Sequence, residues 1–335
     1  MKIFRTGFTR TTDPEELYTI ANDGNRIIYY SNKKFHYEKT KGLVVNTLDN
    51  PRKVFLIKYL WLRYITRKLD LVHIDFISRS YNWYRKLSRK IDRVPYIFDI
   101  VEIDSKDSLN QCKSIPCDLF VVHSDPDRKL LIKAGVDRAR IYYKEPGYLD
   151  SVFKPFSGKQ IGLSYQIIAV GDLDSDNNPE LLIEAFKYLS KEYSLRWVSV
   201  DSTHDRELEM KELAENLNVE NKVLFGNSIT NEELLDLYNK SELFVLPSKK
   251  GRFDKHILEA LACGLPVLSE DGLINISGYI GIDSYGPKNL AKQIEKLVRE
   301  KPFVNSKKTS EAYNISRKSK EMVEVYQKLY RHNKA

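Results

Sequence analysis

The sequence predicts an α/β protein built on two doubly wound parallel sheets. Three observations carry that. Short runs rich in β-branched and aromatic residues recur along the chain, stretches of helical periodicity separate them, and a glycine- and proline-containing break divides them into two sets. Strands that are apolar on both faces need cover on both faces, and helices alternating with the strands supply it.

Taken in order, the first set is RIIYYS (26–31), LVVNT (43–47), DLVHID (70–75), PYIFDIV (95–101) and DLFVVHS (118–124). Next comes PGYLDSVFKPFSGKQIGLSY (146–165), where periodicity is lost, and the boundary between an N-terminal domain (1–158) and a C-terminal domain (159–315) is placed there. The second set is YQIIAVGDL (165–173), LRWVSVD (195–201), KVLFGN (222–227), LFVLPS (243–248) and PVLSE (266–270). Helices are predicted over 179–193, 205–218 and 231–241, the last capped by Thr230 or Asn231, and a long amphipathic helix over 316–332. Two such domains facing one another would place the carboxyl ends of both sheets around an interdomain cleft, the expected active site.

Composition narrows the class. The 335 residues are 42% hydrophobic and 30% charged, as in soluble globular proteins. The opening MKIFRTG has no apolar signal core, and no run approaches the roughly 18 apolar residues of a spanning helix. Cys112, Cys117 and Cys263 are odd in number and lack metal-ligand spacing, so a reducing, cytoplasmic setting without a metal cofactor is expected. The +8 net charge is uneven, because from 52 to 93 lysine and arginine outnumber aspartate twelve to three. VFLIKYLWLRYITRKL (54–69) and SYNWYRKLSRKIDR (80–93) interleave those cations with aromatics, a pattern suited to an anionic bilayer surface or to a helix packed on a sheet. Peripheral membrane attachment, with a lipid-linked acceptor, is one expectation. Nucleic acid is not expected as a partner, since no recognition motif accompanies the charge.

The most informative stretch is FDKHILEALACGLPVLSEDG (253–272), a helix, a tight break and a buried strand, with Glu259 set among apolar residues of the helix. Together with GDLDSDNNPELLIEAF and NKVLFGNSITNEELLDLYNKSELFVLPS, it resembles the donor-binding half of GT-B glycosyltransferases, in particular retaining family 4, also called glycosyl transferases group 1. HSDPDRKLLIKAGVDRARIYYKEPGYLDSVFKP is similar to that family's linking segment, and EAYNISRKSKEMVEVYQKLY to the helix that crosses back to the first domain.

The resemblance implies transfer of a sugar from a nucleotide sugar, with retention and without metal, and it places Glu259 on the ribose hydroxyls. A carboxylate suits a vicinal diol because it accepts two hydroxyl donors at once. Near it the resemblance puts Pro247, Ser248, Gly251, Phe253 and Asp254 on the donor side, followed by His256, Ile257 and Leu258, with Gly171, Phe225, Gly226 and Asn227 approaching from earlier loops. The family's phosphate-binding arginine and lysine positions are here Asp172 and Asn177, and its sugar-binding glutamate position is Gly251. A carboxylate about 4 Å from a diphosphate would repel it by several kcal/mol at an effective dielectric of about 20. Cations clustered nearby, Lys249, Lys250, Arg252, Lys255 and His256, offer substitutes, with Arg252 and Lys255 as the catalytic candidates. His73 and His123 fall near the carboxyl ends of predicted strands. His73 is a candidate acid or base, and Asp99, Glu102, Asp104 and His123 are candidates on the acceptor side, the family's own histidine position there being Val101. Two readings stand: an active transferase, or a degenerate relative that binds a partner, a membrane or a nucleotide without turnover.

Overall fold

The computed structural model describes residues 1–7, 16–17, 20–21, 25–31, 43–47, 70–74, 94–100, 103, 105–115, 117–156, 166–199, 204–226, 229–249, 251 and 253–332. The chain forms two compact units, one of residues 1–146 with 315–335, the other of residues 147–314.

The first unit contains β1 (Lys2–Gly7), β2 (Arg26–Ser31), β3 (Leu43–Thr47), β4 (Leu71–Ile74), β5 (Tyr96–Ile100), β6 (Leu119–Val122) and β7 (Ile141–Tyr143). They form one sheet in the order β3-β2-β1-β4-β5-β6-β7, every pairing parallel. Chain order reverses between β1 and β4, the doubly wound arrangement the apolar runs predicted. The strand β1 was not among those runs: Lys2 and Arg5 interrupt it, yet it lies inside the sheet, hydrogen-bonded to strands on both sides. Helices α1 (Lys106–Ser114) and α2 (Asp125–Lys133) follow β5 and β6, and Ser105 and Ser124 cap them through side-chain oxygens. On one face Val72, Ile74, Phe98 and Phe120 form a core with Cys112 and Leu131 of these helices. The opposite face belongs to the end of the chain. There Leu71, Ile97 and Val121 pack against Met322, Val323 and Tyr326 of a terminal helix, which is labelled α9 (Ile315–His332) below.

The second unit contains β8 (Ile167–Val170), β9 (Leu195–Val198), β10 (Val223–Gly226), β11 (Leu243–Leu246), β12 (Val267–Ser269) and β13 (Tyr279–Gly281). Their order, β10-β9-β8-β11-β12-β13, repeats the reversal, here between β8 and β11. The helices are α3 (Pro179–Ala185), α4 (His204–Asn216), α5 (Asn231–Asn239), α6 (Lys255–Ala262), α7 (Pro287–Glu300) and α8 (Ser306–Tyr313). Helix α3 stops well before the predicted 193. Bonds from Phe186, Lys187 and Tyr188 N–H reach back only three residues, tightening the turn and ending the α-helical ladder. Helix α5 begins where Thr230 and Glu233 satisfy one another's backbone donors in a capping box.

The segments 54–69 and 80–93 lie outside the described residues. Within 52–93 the described residues are 70–74, and those of β4 among them are buried. Among the described residues no helix is long and apolar enough to cross a membrane.

Because α9 supplies a fully buried side chain to the first unit, it contributes to that unit's core despite its distance in sequence. Met322→Ala, at a site with 0% exposure, is expected to cost about 2–5 kcal/mol of stability. Urea unfolding of the full chain measures this.

Candidate functional site

In open parallel sheets ligands bind beyond the strands' carboxyl ends, where the winding reverses. In the second unit that point lies between β8 and β11, whose exits are the loops opening at Gly171 and at Pro247.

The loop after β8 is held from beneath and from within. Trp197 Nε1 donates to the Gly171 carbonyl at 2.9 Å, and Asn177 Nδ2 donates to the Asp172 carbonyl at 2.9 Å. Asp174 Oδ1 accepts the Asp176 and Asn177 amides at 3.2 and 3.1 Å. Gly171 has φ of +154°, and a Cβ there would stand 3.1 Å from Asn177 Nδ2. Asn177 therefore closes the loop with its side chain. The loop after β11 joins this one, with the Lys249 amide 3.4 Å from the Asp176 carbonyl. Tyr285 braces it: its hydroxyl donates to the Ser248 carbonyl at 2.6 Å, and Lys249 Nζ lies 4.6 Å from its ring centroid. The Gly251 amide donates to Glu270 Oε2 at 2.6 Å. Burial raises the Glu270 carboxyl above its usual range, and this amide opposes the rise.

Helix α6 follows, with Asp254 capping it by accepting the His256 amide at 2.9 Å. Lys255 is exposed at its first turn. Phe253, Ile257 and Leu258 have their side chains in the core, Phe253 edge-on to Tyr313. Glu259 is 4% exposed, and its Oε2 is bonded by His256 Nδ1 at 2.7 Å and Tyr238 Oη at 3.2 Å. Tyr238 is itself fixed between Phe153 and Phe244. Burial pushes the Glu259 carboxyl up, but the His256 charge and bond, with smaller help from Lys255 and Tyr238, hold it below its usual range. Burial likewise lowers His256, and Glu259 with Asp254 more than offsets this, leaving it raised. Both bonds to Glu259 fall on Oε2.

Phe225 and Gly226 end β10, with β9 and β8 between them and β11. Arg196 lies against Gly226 so closely that a Cβ there would meet its guanidinium. Lys250, Arg252 and Asn227 lie outside the described residues, as do Val101, Glu102 and Asp104.

The first unit holds a separate cluster. His73 on β4, Asp99 on β5 and His123 just beyond β6 occupy the sheet face that α9 covers, each in step with a core residue two positions earlier. His73 pairs with Ile97 and Asp99 with Val121, so each polar residue stands one side-chain repeat further toward the carboxyl end than the one before. The steps bring them into bonding range: His123 Nε2 lies 2.5 Å from Asp99 Oδ1, and His73 Nε2 lies 3.3 Å from Oδ2. Tyr326 of α9 completes the series with its hydroxyl 2.8 Å from His73 Nδ1. Burial would raise the Asp99 carboxyl, but His123 and then His73 hold it well below its usual range. Among the described residues no group of three or more potential ligands could hold a metal ion.

Sequence reasoning named Glu259, Asp99 and both histidines but missed Tyr238, Tyr285, Glu270 and Tyr326. Their signals were weak, since a tyrosine on a helix or loop reads as ordinary packing.

With this geometry in place the comparisons define the class. The whole chain superposes on glycosyltransferase structures of the GT-B fold. Sucrose-phosphate synthase from Thermosynechococcus elongatus matches with a TM-score of 0.77 and 17% identity, over 99% of this chain and 100% of that one. HepE from Anabaena, solved in complex with UDP and glucose, matches with a TM-score of 0.75 and 16% identity, over 98% and 100%. The fold is therefore GT-B. Residues 156–318 match the sequence model of the family described as glycosyl transferases group 1. Curated relatives include mannosylfructose-phosphate synthase from Agrobacterium fabrum, 29% identical over 45% of this chain and 37% of the relative. D-inositol 3-phosphate glycosyltransferase from Salinispora arenicola is 29% identical over 52% and 43%. These matches span less than half of each relative's length.

The His256–Glu259 pair should leave a pH signature. The contribution of Glu259 is present above its unfolded value of about 4.3 and is lost as pH falls through its lowered folded value. That of His256 is full below about 6.5 and is lost as pH rises through its raised folded value. The stability gap between the parent and His256→Gln is therefore expected to be widest from about pH 4.3 to about 6.5 and to narrow under alkaline conditions. Denaturant midpoints across that range measure it.

Proposed function

We propose that the chain transfers a sugar from a nucleotide sugar to an acceptor hydroxyl, with the second unit binding the donor. The observation that carries this reading is Glu259, a buried carboxylate kept charged by His256 and Tyr238 on one oxygen, in a segment that matches the glycosyl transferases group 1 model. A fixed anion with one oxygen committed to its support can present the other to ribose hydroxyls. HepE was solved with UDP and glucose, which supports a nucleoside diphosphate as the ligand class. Retention of configuration and catalysis without a metal belong to the proposal through family likeness. So do a role for Arg252 or Lys255 in stabilising the leaving diphosphate and an acceptor role for the polar cluster of the first unit.

A second reading is favoured by one observation. Asn177, at the family's lysine position, is committed to closing its own loop, and Asp172 is a carboxylate beside it. A protein with that loop and no replacement cation would bind without turnover. Calorimetry with UDP, GDP and ADP, together with release of the diphosphate from their sugars, separates the readings. Binding with slow release that Arg252→Ala abolishes supports the transferase; binding without release supports the degenerate relative; no binding of any nucleotide defeats the transferase. Glu259→Gln retains shape and loses charge, and is expected to weaken nucleotide binding at least about tenfold, the worth of one charge-assisted hydrogen bond.

The basic aromatic stretches flanking β4 are proposed to hold the protein at an anionic bilayer that presents a lipid-linked acceptor. Cosedimentation with phosphatidylglycerol vesicles at low salt is expected, with loss in 0.5 M salt, where screening shortens to about 4 Å. Equal recovery with phosphatidylcholine vesicles would refute it.

A further inference from the structure

We infer that Glu270 accepts hydrogen bonds from hydroxyls of the donor's sugar ring and thereby selects the sugar; this rests on the transferase reading. Glu270 directly follows β12, the neighbour of β11 in the second sheet. Leu246 and Ser269 are the last pair between those strands, so Glu270 and Pro247 leave the sheet together at its carboxyl end. The backbone is fixed there. The Ser269 hydroxyl donates to the Leu246 carbonyl at 2.7 Å, the Ile282 amide to the Ser269 carbonyl at 2.8 Å, and the Tyr279 hydroxyl to the Glu270 carbonyl. From this frame Glu270 Oε2 reaches the Gly251 amide at 2.6 Å. Gly251 has φ of +59°, in the left-handed region that glycine occupies without strain. It has no side chain, so Glu270 brings a carboxylate to a loop position that has none of its own.

That carboxylate is short of donors. Glu259 has a histidine and a tyrosine on Oε2 and is held below the usual carboxylate range. Glu270 is partly buried, its one donor among the described residues is the Gly251 amide, and burial leaves it above that range. A carboxylate offers roughly four lone-pair sites, and a single backbone N–H serves one of them. A ligand that donates hydroxyls at this point returns what burial has removed.

Charge and position decide which part of a nucleotide sugar meets Glu270. A carboxylate repels a diphosphate, so the phosphates are not its partner. The diphosphate separates the ribose and base from the sugar, and the ribose is assigned to Glu259. In the chain Lys255, in the first turn of α6, lies between Gly251 and Glu259, and Lys249 lies on the other side of Gly251. Lys249 is held with its Nζ over the Tyr285 ring. These cations suit the diphosphate, which leaves the sugar as the hydroxyl-rich group beyond it. Neighbouring sugar hydroxyls match the paired oxygens of a carboxylate.

The test is calorimetry on the full chain with UDP-glucose, GDP-mannose and ADP-glucose, each compared with its free diphosphate UDP, GDP or ADP. Glu270→Gln keeps an oxygen for the Gly251 amide and removes the charge. It is expected to weaken binding of the nucleotide sugar at least about tenfold, with affinity for the free diphosphate within about twofold of the parent. Glu259→Gln, by contrast, should weaken both alike. Should the Gln variant not fold, Glu270→Asp, which keeps the charge but withdraws it by one methylene, reads the same difference. Equal losses for nucleotide sugar and diphosphate would assign Glu270 to holding the loop or to the base, and overturn the inference. Nucleotide-sugar affinity within about twofold of the parent overturns it too, as does a parent that binds a diphosphate but no nucleotide sugar. A parent that binds none of these nucleotides overturns the transferase reading, and the inference with it.

Discussion

A carboxylate taken out of water must be given donors or surrender its charge, and each unit of this protein shows that problem solved. Glu259 sits in α6 with one oxygen held by His256 and Tyr238. Asp99 sits in β5 between His123 and His73. In both cases histidine overcomes the effect of burial and keeps the acid ionised. The supports are themselves supported, Tyr238 by flanking phenylalanines and His73 by Tyr326, so each anion has little freedom to reorient. Fixed charges of this kind cost no reorganisation when a ligand arrives.

Parallel sheets explain where the anions are. With every strand running the same way, side chains stepping two residues per strand climb toward one edge, and in the first unit that climb is His73, Asp99, His123. In the second unit the reversal between β8 and β11 brings two loops to the same edge, and the bond between the Lys249 amide and the Asp176 carbonyl joins them. Trp197, Asn177 and Asp174 hold the loop after β8, and Arg206 Nε donates to the Leu173 carbonyl at 2.7 Å.

The fold was largely legible because its strands are short, buried and apolar, as in IIAV of β8 and LFVL of β11. What escaped were strands without that signature: β1 with its two cations, and β7 and β13, each only three residues long. The long reading of α3 failed for a different reason, since periodicity continues past Ala185 while the backbone has already tightened. At the site, the identity of Glu259 was readable from its flanking residues, but its partners were not. Tyr238 is 21 positions away and Tyr326 is 253 from His73, distances at which only folding reveals contact. The pairing of Asp99 with both histidines depends on register between strands, which no single-strand pattern encodes.

The central claim is that the second unit holds a nucleoside diphosphate by its ribose through Glu259. A crystal structure of the full chain with UDP, GDP or ADP tests it most directly. The account predicts ribose hydroxyls within about 3.2 Å of Glu259 Oε1, with Oε2 still bonded to His256 and Tyr238. A nucleotide bound elsewhere on the chain, with Glu259 making no contact to it, would contradict the account.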